Sequence, residues 1–148
     1  MATSSPPLGC TNFKLRQLTR RVSQHYDHHL ALAGLKTTQY SLLSHIAKLG
    51  PLTPGDLARR MTLDASTLTR NLQPLVAAGW VVVGEGVNAR SRLLTLTEAG
   101  REVRQTAQRH WKNAQLELNG LLGPAMVAEL HGLLDQALAA FEPETSDE

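Results

Sequence analysis

The sequence TPGDLARRMTLDASTLTRNL at residues 53–72 decides the fold, because it contains two helix starts separated by a very short connection. Thr53 followed by Pro54 is the pattern of an N-cap residue and the first position of a helix. Asp64 is a second N-cap residue, and only a tight turn fits between the two helices. We therefore predict two short helices joined by a turn, with the small Ala58 at their crossing.

The second of these helices combines an apolar inner face with an outer face of small, polar and basic side chains. The outer face of its first half carries Ser66, Thr67, Thr69, Arg70 and Asn71. Hydroxyl, amide and guanidinium groups on a helix suit phosphate oxygens and base edges in a DNA major groove, which is wide enough to admit a helix. An ordinary solvated polar face is the alternative for any one of these residues.

A β-hairpin is predicted next, because the hydrophobic period changes. The runs Trp80–Val83 and Arg92–Leu96 are rich in β-branched and apolar residues and predict two strands. The loop between them, at residues 84–91, contains glycines, an asparagine and an arginine. Helix, turn, helix and basic hairpin in this order predict a winged helix–turn–helix that binds DNA. The candidate DNA contacts in this wing are Asn88, Arg90 and Arg92.

Amphipathic helices are predicted on both sides of this unit, over residues 11–32, 37–49, 97–122 and 124–141. The element order is therefore α-α-α-α-β-β-α-α, mainly helical with one small hairpin. The face predicted to be buried in the second helix consists of Tyr40, Leu43, Ile46 and Ala47. The last helix has an apolar stripe that one small domain cannot easily cover, so we expect an isologous homodimer interface there. This stripe consists of Leu130, Leu133, Leu134, Ala137, Leu138 and Phe141.

Several motifs in this order make the chain similar to the MarR family of bacterial regulators. They are Leu57-Ala58, DASTLTR at residues 64–70, the segment Leu75 to Gly79, the basic hairpin, and LTEAG at residues 96–100. The resemblance covers nearly the whole chain and implies a triangular homodimer whose first and last two helices form the interface. It implies further that each winged unit reads half of a palindromic operator. Such proteins are mostly repressors released by small phenolic or lipophilic ligands, metals or oxidants.

The same resemblance divides the chain into one folded domain and two tails. A disordered tail at residues 1–10 precedes the domain at 11–141, and an acidic tail follows at 142–148. Within the domain, the winged helix–turn–helix covers about 37–100, and the dimerisation helices cover about 11–33 and 101–141. The family usually has an Asp two residues before the wing arginine, which here is Arg90. This chain has Asn88 at that position, so it lacks the ion pair that would hold the tip.

Charge is distributed unevenly along the 148 residues. Residues 1–50 carry six basic residues and one acidic residue, a net charge of +5, whereas residues 105–148 carry two basic and seven acidic residues, a net charge of −5. A basic N-terminal part suits an anionic partner such as DNA, although a solvated surface explains the charge equally well.

No stretch of the sequence approaches the roughly 20 apolar residues of a membrane span. With no secretory signal at Met1–Pro7 and one cysteine, Cys10, we expect a cytoplasmic protein.

Candidates for effector sensing are few. Tyr40, His45 and Trp111 are aromatic or have a polar tip, and they would suit the lining of an effector cleft. Ordinary packing explains these three residues equally well. Cys10 is a redox candidate, because a thiol at a helix start near basic residues is in a setting that favours oxidation. A lone cysteine near a chain end is nevertheless more often inert.

Catalysis and metal binding have little support in the sequence. His25, His28 and His29 have the spacing of metal ligands. The acid close to them in sequence, Asp27, should point elsewhere and no thiol is near, so we interpret the three as solvated or interface histidines and expect no metal site. A phosphate-binding glycine loop, a nucleophile elbow and a CxxC motif are all absent, so we expect neither an enzyme nor a cofactor. The alternative function is a winged-helix protein-interaction module without DNA function, which should present an aromatic or apolar outer face.

Overall fold

The computed structural model describes residues 8–88 and 91–143 of the chain. Most of the two predicted tails, at residues 1–10 and 142–148, and the wing residue Arg90 lie outside these ranges. The described part is mainly helical with one two-stranded antiparallel sheet, which confirms the predicted fold class. Within it, no helix is long and apolar enough to cross a membrane.

The elements follow the predicted order. They are α1 (Thr11–Leu30), a 3₁₀ turn (Ala31–Ala33), α2 (Thr37–Leu49), α3 (Pro54–Arg60), α4 (Ala65–Ala77), β1 (Val81–Val83), β2 (Leu94–Leu96), α5 (Glu98–Leu122) and α6 (Pro124–Ala139).

The helix–turn–helix forms from α3 and α4 as the sequence predicts. The hydroxyl of Thr53 accepts a hydrogen bond from the N–H of Asp56 at 3.2 Å, which satisfies one of the free donors at the start of α3. Leu57 of α3 and Leu68 of α4 are fully buried, and Ala58 is buried beside Leu57. The small alanine is thus buried where α3 and α4 pack together, which allows the two helices to approach closely.

The face of α2 that is buried differs from the predicted one. Tyr40, Leu43 and Ile46 are buried as expected, but Ala47 is exposed and Leu42 is buried instead. The reason is that α2 packs against α1, α4, α5 and β2 at once, so more than one stripe is covered. A single helical stripe read from the sequence cannot anticipate this.

The two strands are shorter than predicted. β1 and β2 pair in the register Val81↔Leu96, Val82↔Thr95 and Val83↔Leu94. Trp80 lies outside β1 because its N–H donates to the carbonyl of Leu75 at 3.0 Å, as part of the α4 terminus. Arg92 and Leu93 precede β2 and belong to the wing loop.

The start of α5 is packed directly against the residue before β1. A Cβ atom on Gly100 would lie 2.1 Å from the carbonyl oxygen of Trp80, so no larger residue fits there without a backbone shift. Thr97, the N-cap residue of α5, accepts a hydrogen bond from the N–H of Gly100 at 3.0 Å. These contacts of Thr97 and Gly100 join the start of the wing to α5, which explains why the LTEAG motif has a threonine and a glycine at these positions.

Helix α6 has no buried residue in the single chain. The stripe predicted for dimerisation is mostly exposed, with Leu133, Leu138 and Phe141 at 64%, 61% and 90%. Leu15 on α1 and Leu121 on α5 are also exposed. The terminal helices therefore present a large apolar surface that nothing in the described part of the chain covers.

Candidate nucleic-acid interface

Asp64 organises the start of α4. Its carboxylate accepts hydrogen bonds from the backbone N–H of Thr67 at 2.7 Å and from the hydroxyls of Ser66 and Thr67 at 2.7 and 2.9 Å. The Thr67 hydroxyl in turn accepts a 3.4 Å hydrogen bond from the guanidinium of Arg70. Two hydroxyls that the sequence predicts to contact DNA are thus oriented by the residue that caps the helix.

These contacts stabilise the charged form of the Asp64 carboxyl. The hydrogen bond from the Thr67 backbone, followed by those from the Ser66 and Thr67 hydroxyls and by the charge of Arg70, lowers the pKa of Asp64 from 3.8 to about 2. Asp64 is therefore ionised at neutral pH. An anion at this end also interacts favourably with the dipole of α4.

The outer face of α4 separates the predicted DNA contacts into two groups. A shallow hollow is lined by Ala65, Ser66, Thr69 and Arg70. All four of these residues are exposed, and the Thr69 hydroxyl donates to the carbonyl of Ala65 at 2.9 Å. Thr67 and Asn71 are half-buried and do not line the hollow. Ser66, Thr69 and Arg70 are therefore the most accessible side chains of the set.

Asn88 and Ser91 of the wing loop are joined by hydrogen bonds. The side-chain oxygen of Asn88 accepts a hydrogen bond from the N–H of Ser91 at 3.1 Å, and the Ser91 hydroxyl donates to the Asn88 carbonyl at 3.0 Å. Asn88 thus holds Ser91 by hydrogen bonds where the family usually has an acid. Arg92 is exposed, whereas Arg90 lies outside the described residues.

Comparison with known proteins relates this architecture to transcriptional regulators. A family model described as the MarR family matches residues 33–91. The multiple antibiotic resistance protein MarR of Salmonella typhimurium is 31% identical over 134 residues, which cover 89% of this chain and 91% of the relative. The chain belongs to the MarR family.

Two further proteins similar to this chain are named as transcriptional regulators. The transcriptional regulator MosR of M. tuberculosis, solved in complex with DNA, is 32% identical with a TM-score of 0.75, over 90% of this chain and 100% of that one. The HTH-type transcriptional regulator YwoH of Bacillus subtilis is 28% identical over 85 residues, which cover 57% of this chain and 62% of the relative. The family match and the MarR relative confirm the resemblance inferred from the motifs between residues 57 and 100.

The three residues predicted to line an effector cleft come together in this MarR-family chain. Tyr40, His45 and Trp111 border a cleft of about 480 Å³ between α1, α2 and α5. The Tyr40 and Trp111 rings are stacked, with centroids 6.1 Å apart. Arg104, which sequence reasoning missed, also lines the cleft, and its Nε donates to the Ser44 hydroxyl at 3.2 Å. The cleft therefore combines an aromatic wall with one guanidinium.

Cys10, the redox candidate, is the exposed N-cap residue of α1. Its carbonyl accepts a hydrogen bond from the N–H of Lys14 at 3.1 Å, and its side chain makes no capping bond. The Lys14 ammonium donates to the carbonyl of Leu8 at 2.9 Å. Oxidant sensing by Cys10 stays a prediction from the sequence.

The histidines of α1 have partners that their sequence neighbours do not reveal. His25 Nε2 lies 2.8 Å from the carbonyl oxygen of Ala114, and His29 Nε2 lies 2.7 Å from a carboxylate oxygen of Glu117. Glu117 is 88 residues away from His29 in the chain, so no local spacing could have identified it. The packing of α1 against α5 brings these groups together.

Asp27, the acid nearest to these histidines in sequence, has a structural role elsewhere. Its carboxylate accepts hydrogen bonds from the N–H and the hydroxyl of Thr37, both at 2.7 Å. It thereby satisfies a free N–H at the start of α2. Asp27 thus joins α1 to the helix that borders the cleft.

Proposed function

We propose that the chain represses transcription by binding a palindromic DNA operator as a homodimer, in the cytoplasm, and that a small effector releases it. The observation that carries the proposal is the exposed hollow on α4, where Ser66, Thr69 and Arg70 project beside a helix start that Asp64 orders. Small hydroxyls allow a close approach to base edges, and an arginine reads guanine or holds a phosphate.

In this proposal, helix α4 and the wing contact different grooves of the DNA. Helix α4 enters the major groove with Ser66, Thr69 and Arg70 leading, and Thr67 and Asn71 contact the backbone at its edge. The wing approaches the minor groove, where the focused negative potential attracts arginine. Arg92, exposed next to Ser91, supports this placement, and Arg90 is assigned from the family pattern. The DNA complex of the MosR relative is in line with this use of the fold.

A homodimer follows from the uncovered apolar faces of the terminal helices. Leu133, Leu138 and Phe141 would lose contact with water if α6 packed against a second copy. Two-fold symmetry then places two α4 helices for two operator half-sites.

The cleft at Tyr40, His45 and Trp111 is the proposed effector site. His45 Nδ1 lies 2.7 Å from the carbonyl oxygen of Ser41, so a neutral His45 ring has its proton on Nδ1 and Nε2 as an acceptor. An aromatic wall, an acceptor nitrogen and the Arg104 guanidinium suit a planar phenolic ligand with an acidic group. Because α2 and α5 both border the cleft, a ligand there would bias the position of the winged unit.

The experiment is selection of DNA by the purified full-length protein from randomised and genomic fragments, followed by footprinting. A DNA-reading dimer selects sites with two related half-sites one helical turn apart or a multiple of it. A protein-interaction module would select no sequence, and its weak binding to any DNA would disappear at physiological salt. That second outcome would contradict the proposal.

A further inference from the structure

Two histidines and one glutamate meet where α1 packs against α5, away from the DNA-reading face of α4. One ring nitrogen each of His25 and His29 and a carboxylate oxygen of Glu117 all lie within 4.8 Å of one another. Among the described residues, these three side chains are the group of histidine, cysteine, aspartate or glutamate residues that could bind one metal ion together. His25 and His29 are one helical turn apart, so they project from the same side of α1.

The donor set has the chemistry of a transition-metal site. Two imidazole nitrogens and one carboxylate oxygen are ligands of zinc in three-ligand sites that leave a position for water. Calcium and magnesium prefer sets made only of oxygen atoms. We infer that His25, His29 and Glu117 bind one divalent transition-metal ion of the zinc type, which links α1 to α5.

The hydrogen bond of His25 determines which ring nitrogen would be the ligand: if the bond from Nε2 is kept, Nδ1 is the nitrogen for the metal. The carbonyl oxygen of Ala114 lies 2.8 Å from Nε2, so a neutral His25 donates its Nε2–H to it and keeps the lone pair on Nδ1. A ligating histidine commonly donates its second ring N–H to a carbonyl in this way, which fixes its orientation. His25 is thus oriented by a contact that a surface histidine does not need.

The His29–Glu117 pair occupies the second and third ligand positions. His29 Nε2 lies 2.7 Å from the Glu117 oxygen and donates its N–H to it, and a metal ion would replace this proton. In a tetrahedral site with bonds of about 2.1 Å, neighbouring ligand atoms lie roughly 3.4 Å apart. The His29 side chain is 13% exposed, whereas that of Glu117 is 64% exposed, so Glu117 has room to rotate and water can reach the fourth position.

An ion pair between His29 and Glu117 alone explains less of the three-residue cluster than a metal site does. A partly exposed pair of His29 with Glu117 contributes little to stability and does not require His25 at all. The ring centroids of His25 and His29 are nevertheless only 5.1 Å apart. Metal binding gives a role to all three groups, including His25.

The test is calorimetric titration of zinc into the full-length protein, stripped with chelator, without an affinity tag and in a Cys10→Ser background that excludes thiolate binding. One ion per chain should bind in the parent. His29→Gln and Glu117→Gln should each weaken zinc binding at least tenfold, since even the loss of an outer-shell partner costs about 10- to 100-fold. Zinc should also raise the melting temperature of the parent and not that of these variants.

His28→Gln is the matched control, because His28 is exposed on the same helix and is not one of the three grouped ligands. It should bind zinc like the parent. Glu117→Gln is nearly isosteric, and circular dichroism without metal verifies that each variant folds. Absence of saturable zinc binding in the parent, or equal zinc affinity in the parent and in the His29 and Glu117 variants, would overturn the site.

Discussion

The hydroxyl of Thr97 donates a hydrogen bond to the carbonyl oxygen of Gly79 at 2.6 Å while it accepts one from the N–H of Gly100 at 3.0 Å. Gly79 follows α4 and adopts a left-handed conformation with φ 77°, and Thr97 is the N-cap residue of α5. One side chain thus joins the end of α4 to the long helix α5, which borders the cleft at Tyr40 and Trp111. The position of α4 in this MarR-family protein therefore depends on a cap 18 residues further along the chain.

Thr97→Ala should destabilise the fold. It removes the N-cap of α5 and the bond to Gly79 together, so we expect the free energy of unfolding to fall by about 1–2 kcal/mol. Thr97→Ser keeps the hydroxyl and should lose much less. Urea unfolding followed by circular dichroism measures both, and equal stabilities of the alanine and serine variants would show that the hydroxyl has no such role.

Asp64 should make the stability of α4 dependent on acid. Because its pKa is lowered from 3.8 to about 2 in the folded chain, its contribution is fully present above pH 3.8 and is lost as the pH falls towards 2. The free energy of unfolding of the parent should therefore fall more steeply over this interval than that of Asp64→Asn, which retains a cap without a charge. Identical pH slopes for the two proteins would contradict the proposed network.

Local patterns were sufficient to predict the helix–turn–helix. Thr53 and Asp64 cap helices where the sequence places caps, because capping depends on residues within one turn of each other. The wing was less predictable: Trp80 has the β-propensity of a strand residue, yet its N–H is used by the α4 terminus. Propensity gives way to such tertiary contacts.

Contacts between distant residues could not be predicted from spacing. Glu117 reaches His29 because α1 and α5 pack side by side. Arg104 and Trp111, both on α5, meet Tyr40 because α2 also packs against α5. The burial of Ala47 was predicted wrongly for a related reason. Four other elements pack against α2, so one helical stripe does not define its buried face. Tyr40 and Trp111 were identifiable by type alone, whereas Tyr26 and Arg104, which also line the cleft, were missed.

Leu133→Glu on α6 should break the dimer without unfolding the monomer. Leu133 is 64% exposed in the single chain, so the charge costs little there but would be desolvated in an interface. Val82→Glu, at a 47% exposed position on β1, is the control and should leave the assembly intact. Sedimentation at micromolar concentration distinguishes monomer from dimer. A parent that sediments as a folded 16.1 kDa monomer would refute the dimer.

Arg104→Gln should weaken binding of an anionic aromatic ligand in the cleft. A hydrogen bond to a charged group contributes about 1.5–3 kcal/mol, so the affinity for salicylate, used as the probe, should fall roughly tenfold or more. Arg109→Gln, an exposed arginine on the same helix, is the control. Calorimetry measures both variants, and Tyr40→Ala and Trp111→Ala extend the test to the aromatic wall. Salicylate binding that is unchanged in all three cleft variants would exclude this placement.

The most direct test of DNA reading by α4 is the affinity of Arg70→Ala for a mapped operator, measured beside Arg109→Ala. Both variants lose one exposed positive charge, but only Arg70 lies in the hollow on α4. We predict a loss of about 1–3 kcal/mol for Arg70→Ala, roughly 5- to 150-fold in affinity, and little change for Arg109→Ala. Base reading would concentrate the loss at one symmetric pair of operator positions, whereas phosphate contact would spread it over all sequences. Equal operator affinities for Arg70→Ala, Arg109→Ala and the parent would contradict DNA reading by α4.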